Sequence, residues 1–175
     1  MATDRSIDFV DFARAHRADL VRTAALLCAG DEAWAEDLVQ TTLTKLYLSW
    51  SRASRADSRL AYARKTLTHA FIDETKRAYR RREAAAADPA QSAGSEPSAP
   101  GVDLGLRELI LSALAELGPR QRAVVVLRHW HDLDVTETAR ILKCSVGTVK
   151  SQNARALARL RELVGPQFLV PEGAS

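Results

Sequence analysis

Between Thr138 and Arg161 the chain carries Arg140, Lys143, Lys150, Arg155, Arg159 and Arg161, and no acid. Among these cations stand Thr148, Ser151, Gln152 and Asn153, all short hydrogen-bonding side chains. Cations meet phosphate oxygens, and a Gln or Asn carboxamide matches the donor–acceptor edge of adenine. The combination suits holding and reading a nucleic-acid duplex, provided one helix presents it. Asp134 is a good N-cap for a first short helix, and Glu137 is placed to close a capping box. Lys143-Cys144-Ser145 breaks that helix. Ser145 caps a second, in which Val149, Ala156, Leu157, Leu160 and Val164 keep an apolar helical period. A short helix, a tight turn and a longer basic helix is the geometry that lays a helix in the major groove.

A second basic constellation lies upstream. Arg64-Lys65 and then Lys76, Arg77, Arg80, Arg81 and Arg82 alternate with Tyr62, His69, Phe71 and Tyr79. Such cations meet backbone phosphates, and flat side chains among them can stack on exposed bases. The competing reading is a solvated face over an aromatic core. Phe71 keeps the apolar stripe and is assigned to the core; His69 and Tyr79 fit either reading. A third face, Glu32, Glu36, Asp37 and Gln40, is acidic.

Enzyme chemistry finds little support. Glycine-rich phosphate loops and nucleophile elbows are missing. His129 and His131 stand about 200° apart on a helix, the wrong geometry for a shared metal. The sequence therefore calls for no catalytic residue, metal or cofactor. Cys28 and Cys144 sit among apolar residues and read as free thiols of a reducing, cytoplasmic compartment. The N-terminus has no signal-peptide pattern, and no apolar run approaches a membrane span.

These groups must be positioned by helices. With 175 residues, 46% hydrophobic and a net charge of +3, the chain suits one ordinary or two small domains. Phe9, Phe12, Ala13, Leu20, Ala24 and Leu27 predict a helix from Asp8 to Leu27. Gly30 ends it, and Asp31 caps a helix to about Ser49 with Val39, Leu43, Leu46 and Trp50 on one stripe. A long helix starts near Ser58 with Leu60, Ala63, Leu67 and Phe71 inward. From Ala84 to Gly101 the sequence has three prolines and no large apolar residue, which predicts a disordered tether. Leu106, Leu109, Ile110, Ala113, Leu114 and Leu117 then form an amphipathic helix. Gly118-Pro119 opens another, running to Trp130. The expectation is an all-α protein of two small helical domains, 8–83 and 104–165, joined by a flexible linker, 84–103. A tail, 166–175, follows, whose Phe168, Leu169 and Val170 could dock back.

In order along the chain, these segments resemble the extracytoplasmic-function (ECF) sigma factors of the sigma-70 family. The resemblance covers about residues 8 to 164. Ala35 to Gln40, AEDLVQ, looks like the motif opening the helix that docks on RNA polymerase. Leu67 to Arg77, LTHAFIDETKR, is similar to the promoter-melting helix. Leu117 to Trp130, LGPRQRAVVVLRHW, and Ser145 to Ser151, SVGTVKS, are close to the C-terminal pattern. The wording SVGTVKSQNARALARLR most resembles the actinobacterial sigma-E subgroup. The resemblance implies a sigma-2-like domain binding core polymerase through Glu36, Asp37 and Gln40. That domain would open the −10 element through His69, Asp73, Lys76, Arg77 and Arg80. It implies a sigma-4-like helix-turn-helix domain reading the −35 element through Thr148, Lys150, Ser151, Gln152, Asn153 and Arg155. Core polymerase and promoter DNA are the implied partners, with room for an anti-sigma factor.

Three departures stand out. His69 replaces the usual Asn. Lys143 occupies a turn position where Gly is common, at a cost on the order of 1 kcal/mol if left-handed. Gln152 and Asn153 stand where Arg and Leu are usual, which would change promoter choice. Asp73 would orient a neighbour or accept from a base amine, and a salt bridge to Arg77 is equally consistent. The alternatives are a two-domain helix-turn-helix regulator that does not engage polymerase, and a partner-binding adaptor.

Overall fold

A computed structural model describes residues 2–86 and 105–165. Most of the expected tether and the tail 166–175 lie outside the described residues. The described chain is helical: α1 (Ala2–Leu27), α2 (Glu32–Leu48), α3 (Trp50–Ala53), α4 (Arg59–Ala86), α5 (Leu106–Ala115), α6 (Pro119–Val125), α7 (Val135–Leu142) and α8 (Val146–Val164). Val126–Trp130 continues α6 as a π turn. The α4 helix passes the expected tether start at residue 84, because Ala84, Ala85 and Ala86 are strong helix formers.

Side-chain caps start the helices where the sequence places them. Asp31 accepts from the Trp34 amide at 2.9 Å, Asp134 from Glu137 at 2.7 Å, and Ser145 from Thr148 at 3.0 Å. The capping box at α7 is only half made. Glu137 turns instead to Arg140, three residues on, whose Nε donates to it at 2.8 Å. That fork offers the carboxylate a charged, two-point partner in place of one amide. Two helices end in left-handed residues, Ala29 at φ 53° and Lys143 at φ 52°. In each the next residue's amide reaches back to a carbonyl of the last turn, Gly30 to Ala25 at 2.9 Å and Cys144 to Ala139 at 3.1 Å. This closure satisfies orphan carbonyls and offsets the strain at Lys143.

Helices α1, α2 and α4 enclose Leu20, Leu27, Leu38, Leu46, Trp50, Leu67 and Phe71, all essentially inaccessible. Each such side chain contributes about 1.5–3 kcal/mol by leaving water. A second core unites α5, α6 and α8 around Leu114, Leu117, Leu157 and Leu160. The cores interlock: Ala123 and Val126 join the first, while Leu26 and Ala29 of α1 pack on the second.

Between them lies Arg122, 8% exposed and without a carboxylate. Its Nε and Nη2 donate to the carbonyls of Leu114, Ala115 and Leu117 at 2.8, 3.2 and 3.1 Å. Its Nη1 donates to the Leu27 carbonyl at the end of α1, 2.8 Å away. The guanidinium thus caps two helix C-termini, where negative partial charge collects. Burial holds its pKa below the usual arginine value.

Candidate nucleic-acid interface

The α8 helix presents its cations and amides from a capped, rigid N-terminus. Val149, Ala156, Leu157, Leu160 and Val164 face the core. Ser151 and Arg155 are exposed on the opposite side, and Thr148 stands beside them, its Oγ1 2.8 Å from Ser145 Oγ. Lys150 is exposed, and Gln152 is half-buried at the edge of this face.

Asn153 departs from the expectation. Four residues past Val149, it lies only about 40° from that core position around the helix. It is half-buried, and its Oδ1 accepts from His129 Nε2 at 2.9 Å. The π turn from Val126 to Trp130 brings His129 there. The Asn153 carboxamide is thus spent within the domain, at a place where the resemblance expects Leu.

On α4, His69, Asp73, Lys76, Arg77 and Arg80 fall on one stripe at steps of four, three, one and three. Asp73, Lys76, Arg77 and Arg80 are exposed. Among the described residues Asp73 and Arg77 form no ion pair, so the cation remains available to a phosphate. Phe71 is fully buried beside Trp34, whereas Tyr79 is 62% exposed. His69 is half-buried, and its Nε2 donates to the Ile141 carbonyl at 2.6 Å. Arg64, nearer the start of α4, is held by Asp19 through bonds of 2.9 and 2.8 Å. That pairing keeps the Asp19 carboxyl below its usual pKa.

The acidic face of α2 is split. Glu36 is half-buried and accepts from Arg17 at 2.6 Å, while Asp37 and Gln40 are exposed. Reading the sequence missed Arg120, which lines one cleft with His69, Lys76, Thr148 and Gln152. One signal pointed to it: a cation in a helix's first turn opposes the helix dipole and calls for another reason. His131 was also missed as a structural group. It lies with Nε2 3.2 Å from Thr23 Oγ1, and burial and Arg64 push its pKa down to about 4. Among the described residues, no His, Cys, Asp and Glu cluster could hold a metal ion. No helix there is long and apolar enough to cross a membrane.

An all-helical chain with a basic helix-turn-helix behind a basic melting-type helix defines a DNA-engaging transcription factor. The family model described as Sigma-70 region 2 matches residues 12–84, and that of Sigma-70 region 4 matches residues 107–160. The RNA polymerase sigma-E factor of Streptomyces avermitilis is 37% identical, over 93% of this chain and 88% of the relative. The ECF RNA polymerase sigma factor SigL of Mycobacterium tuberculosis is 35% identical over 78% of each. The solved sigma factor RpoE in complex with the anti-sigma factor NepR, from Bartonella quintana, superposes with a TM-score of 0.69. That match has 26% identity and covers 91% of this chain and 98% of the other. This chain belongs to the sigma-70 family of transcription initiation factors, among the ECF RNA polymerase sigma factors.

Proposed function

We propose that this sigma factor works as two grips on one promoter, with the labour divided between α4 and α8. Residues 8–83 bind core polymerase through the exposed Asp37 and Gln40, with Glu36 beside them. They engage the −10 element through His69, Asp73, Lys76, Arg77 and Arg80. Residues 104–165 read the −35 element through Thr148, Ser151, Gln152 and Arg155, and Lys150 holds phosphate. Asn153 is left out of base reading and positions α8 through His129. The supporting observation is the outward face of α8 from Thr148 to Arg155, which carries no acid, on a helix fixed by the Ser145 cap.

Phosphate contacts give affinity, and base edges give choice. Joining two modest grips raises affinity through effective concentration. The chain supplies no catalytic group, since bond formation belongs to the polymerase, and it acts in the cytoplasm. A solved relative stands in complex with an anti-sigma factor, and we extend that partner class to this chain. The deciding experiment is transcription with core polymerase and this protein alone on selected promoter DNA. Initiation at defined sites is expected. Promoter binding with no core complex would instead favour the regulator that does not engage polymerase.

A further inference from the structure

Where α5, α6 and α8 meet, the described residues leave the second core open on one side. A groove of about 310 Å³ runs between Ile110 and Leu114 of α5, Trp130 of the π turn, and Leu160 and Val164 of α8. Ile110 is 39% exposed and Trp130 51%, large apolar surfaces turned to water beside buried leucines. The lining holds no carboxylate, lysine or arginine. Its one titratable side chain, His129, already has Nε2 bonded to Asn153. A groove of this kind takes an uncharged, apolar occupant.

The chain carries such a segment next to it. Val164 ends α8 and lines the groove, and the residue after it is Gly165 at φ 82°. That left-handed value turns the backbone off the helix axis, and glycine adopts it without strain. The Gly165 amide closes the turn on the Arg161 carbonyl at 3.1 Å. The sequence then reads Pro166-Gln167-Phe168-Leu169-Val170-Pro171, three consecutive apolar residues between two prolines. From Leu163 to Pro171 it carries no charge, matching the uncharged lining.

We propose that Phe168, Leu169 and Val170 dock in this groove and form the outer wall of the second core. Reach and concentration select this occupant over others. An extended residue spans about 3.5 Å, so four residues carry Phe168 up to about 14 Å from Val164. A helix with its side chains is about 10 Å across, so that distance takes the segment over the edge of α8 and onto the groove. A tether this short holds the segment at an effective concentration on the order of millimolar, far above that of a free chain in dilute solution. A separate apolar helix, or the tail of a second copy, has to outcompete it. Docking covers the exposed faces of Ile110 and Trp130. Neither α4 nor the outward face of α8 takes part.

The test uses the full chain with the photoreactive p-benzoylphenylalanine in place of Phe168. Irradiation should join position 168 to Ile110, Leu114 or Trp130 of the same chain, with a yield that does not change on dilution. Adducts found only outside the groove, or none, overturn the docking. Adducts between two chains, growing with concentration, overturn the chain's own tail as occupant and give the groove to a second copy.

Trp130 supplies a second readout. Acrylamide quenching of its emission is taken as the difference between chains with and without Trp130→Phe. That quenching should rise about twofold in Phe168→Asp, because an unpaired carboxylate is not buried in an apolar groove. Phe168→Leu, still apolar, should keep the native value. Equal quenching in the native chain and in Phe168→Asp overturns the proposal. Position 168 lies beyond α8, so helical circular dichroism should be the same in all these chains; where a variant loses it, the photo-cross-link decides.

Discussion

His69 on α4 donates from Nε2 to the carbonyl of Ile141 near the end of α7, 2.6 Å away. That carbonyl is one of the four that a helix C-terminus leaves without an internal partner. A side chain assigned to the −10 element thereby serves as a cap for the first helix of the −35 reader. One imidazole cannot do both at once. Engaging an unpaired base through His69, as proposed, would therefore require this hydrogen bond to break.

Arg122 should be the most sensitive single residue for stability outside the apolar cores. Replacing it with Met keeps much of the volume and strands the carbonyls of Leu114, Leu117 and Leu27. Hydrogen bonds to a charged group are worth about 1.5–3 kcal/mol each, with partial recovery by water. The expected loss is about 3 kcal/mol in urea denaturation. Arg122→Lys should recover only part of it, since one ammonium cannot span carbonyls from two helices. A loss below about 1 kcal/mol would mean that the guanidinium is not the shared cap described here.

His131 predicts a pH dependence whose sign follows from its environment. Burial, first, and Arg64, second, lower its folded pKa from 6.5 to about 4, with Asp19 opposing. Between those values the unfolded chain binds the proton that the folded chain refuses. Stability is therefore full above about pH 6.5, declines as the pH falls through that window, and levels off below about 4. Because the imidazole is only half-buried, solvent screening reduces the effect to about 1–2 kcal/mol. Asp19, whose pKa is lowered by Arg64, adds its own loss only at more acidic pH. Urea midpoints measured from pH 7.5 to 5 should fall for the native chain, and the slope should be shallower for His131→Gln.

The helices were legible because their signals are local. Asp31, Asp134 and Ser145 cap as their types and spacing require, and Phe71 keeps its place in the apolar stripe. The left-handed turn at Lys143 was legible too, as a conditional cost. What sequence could not show is how one half meets the other. Arg122 reads as another cation of a basic segment until the end of α1 supplies a carbonyl ninety-five positions away. His129 reads as half of a mismatched pair until a π turn, which no periodicity announces, aims it at Asn153.

That last contact separates the neighbours Gln152 and Asn153 experimentally. Gln152 stands at the edge of the outward face, so Gln152→Ala should shift −35 preference by about 1–3 kcal/mol at one base pair. Lys150 is exposed and holds phosphate in the proposed reading. Lys150→Ala should weaken every site alike and reduce the log–log salt slope by about 0.9. Asn153 is half-buried and bonded to His129, so Asn153→Leu should leave the order of preferred −35 sequences unchanged. Its loss of orientation should appear instead as a uniform drop in affinity. Selection of bound sequences from a randomised −35 library distinguishes the three variants. A new base preference in Asn153→Leu would return that residue to the reading face and remove the positioning role given to His129.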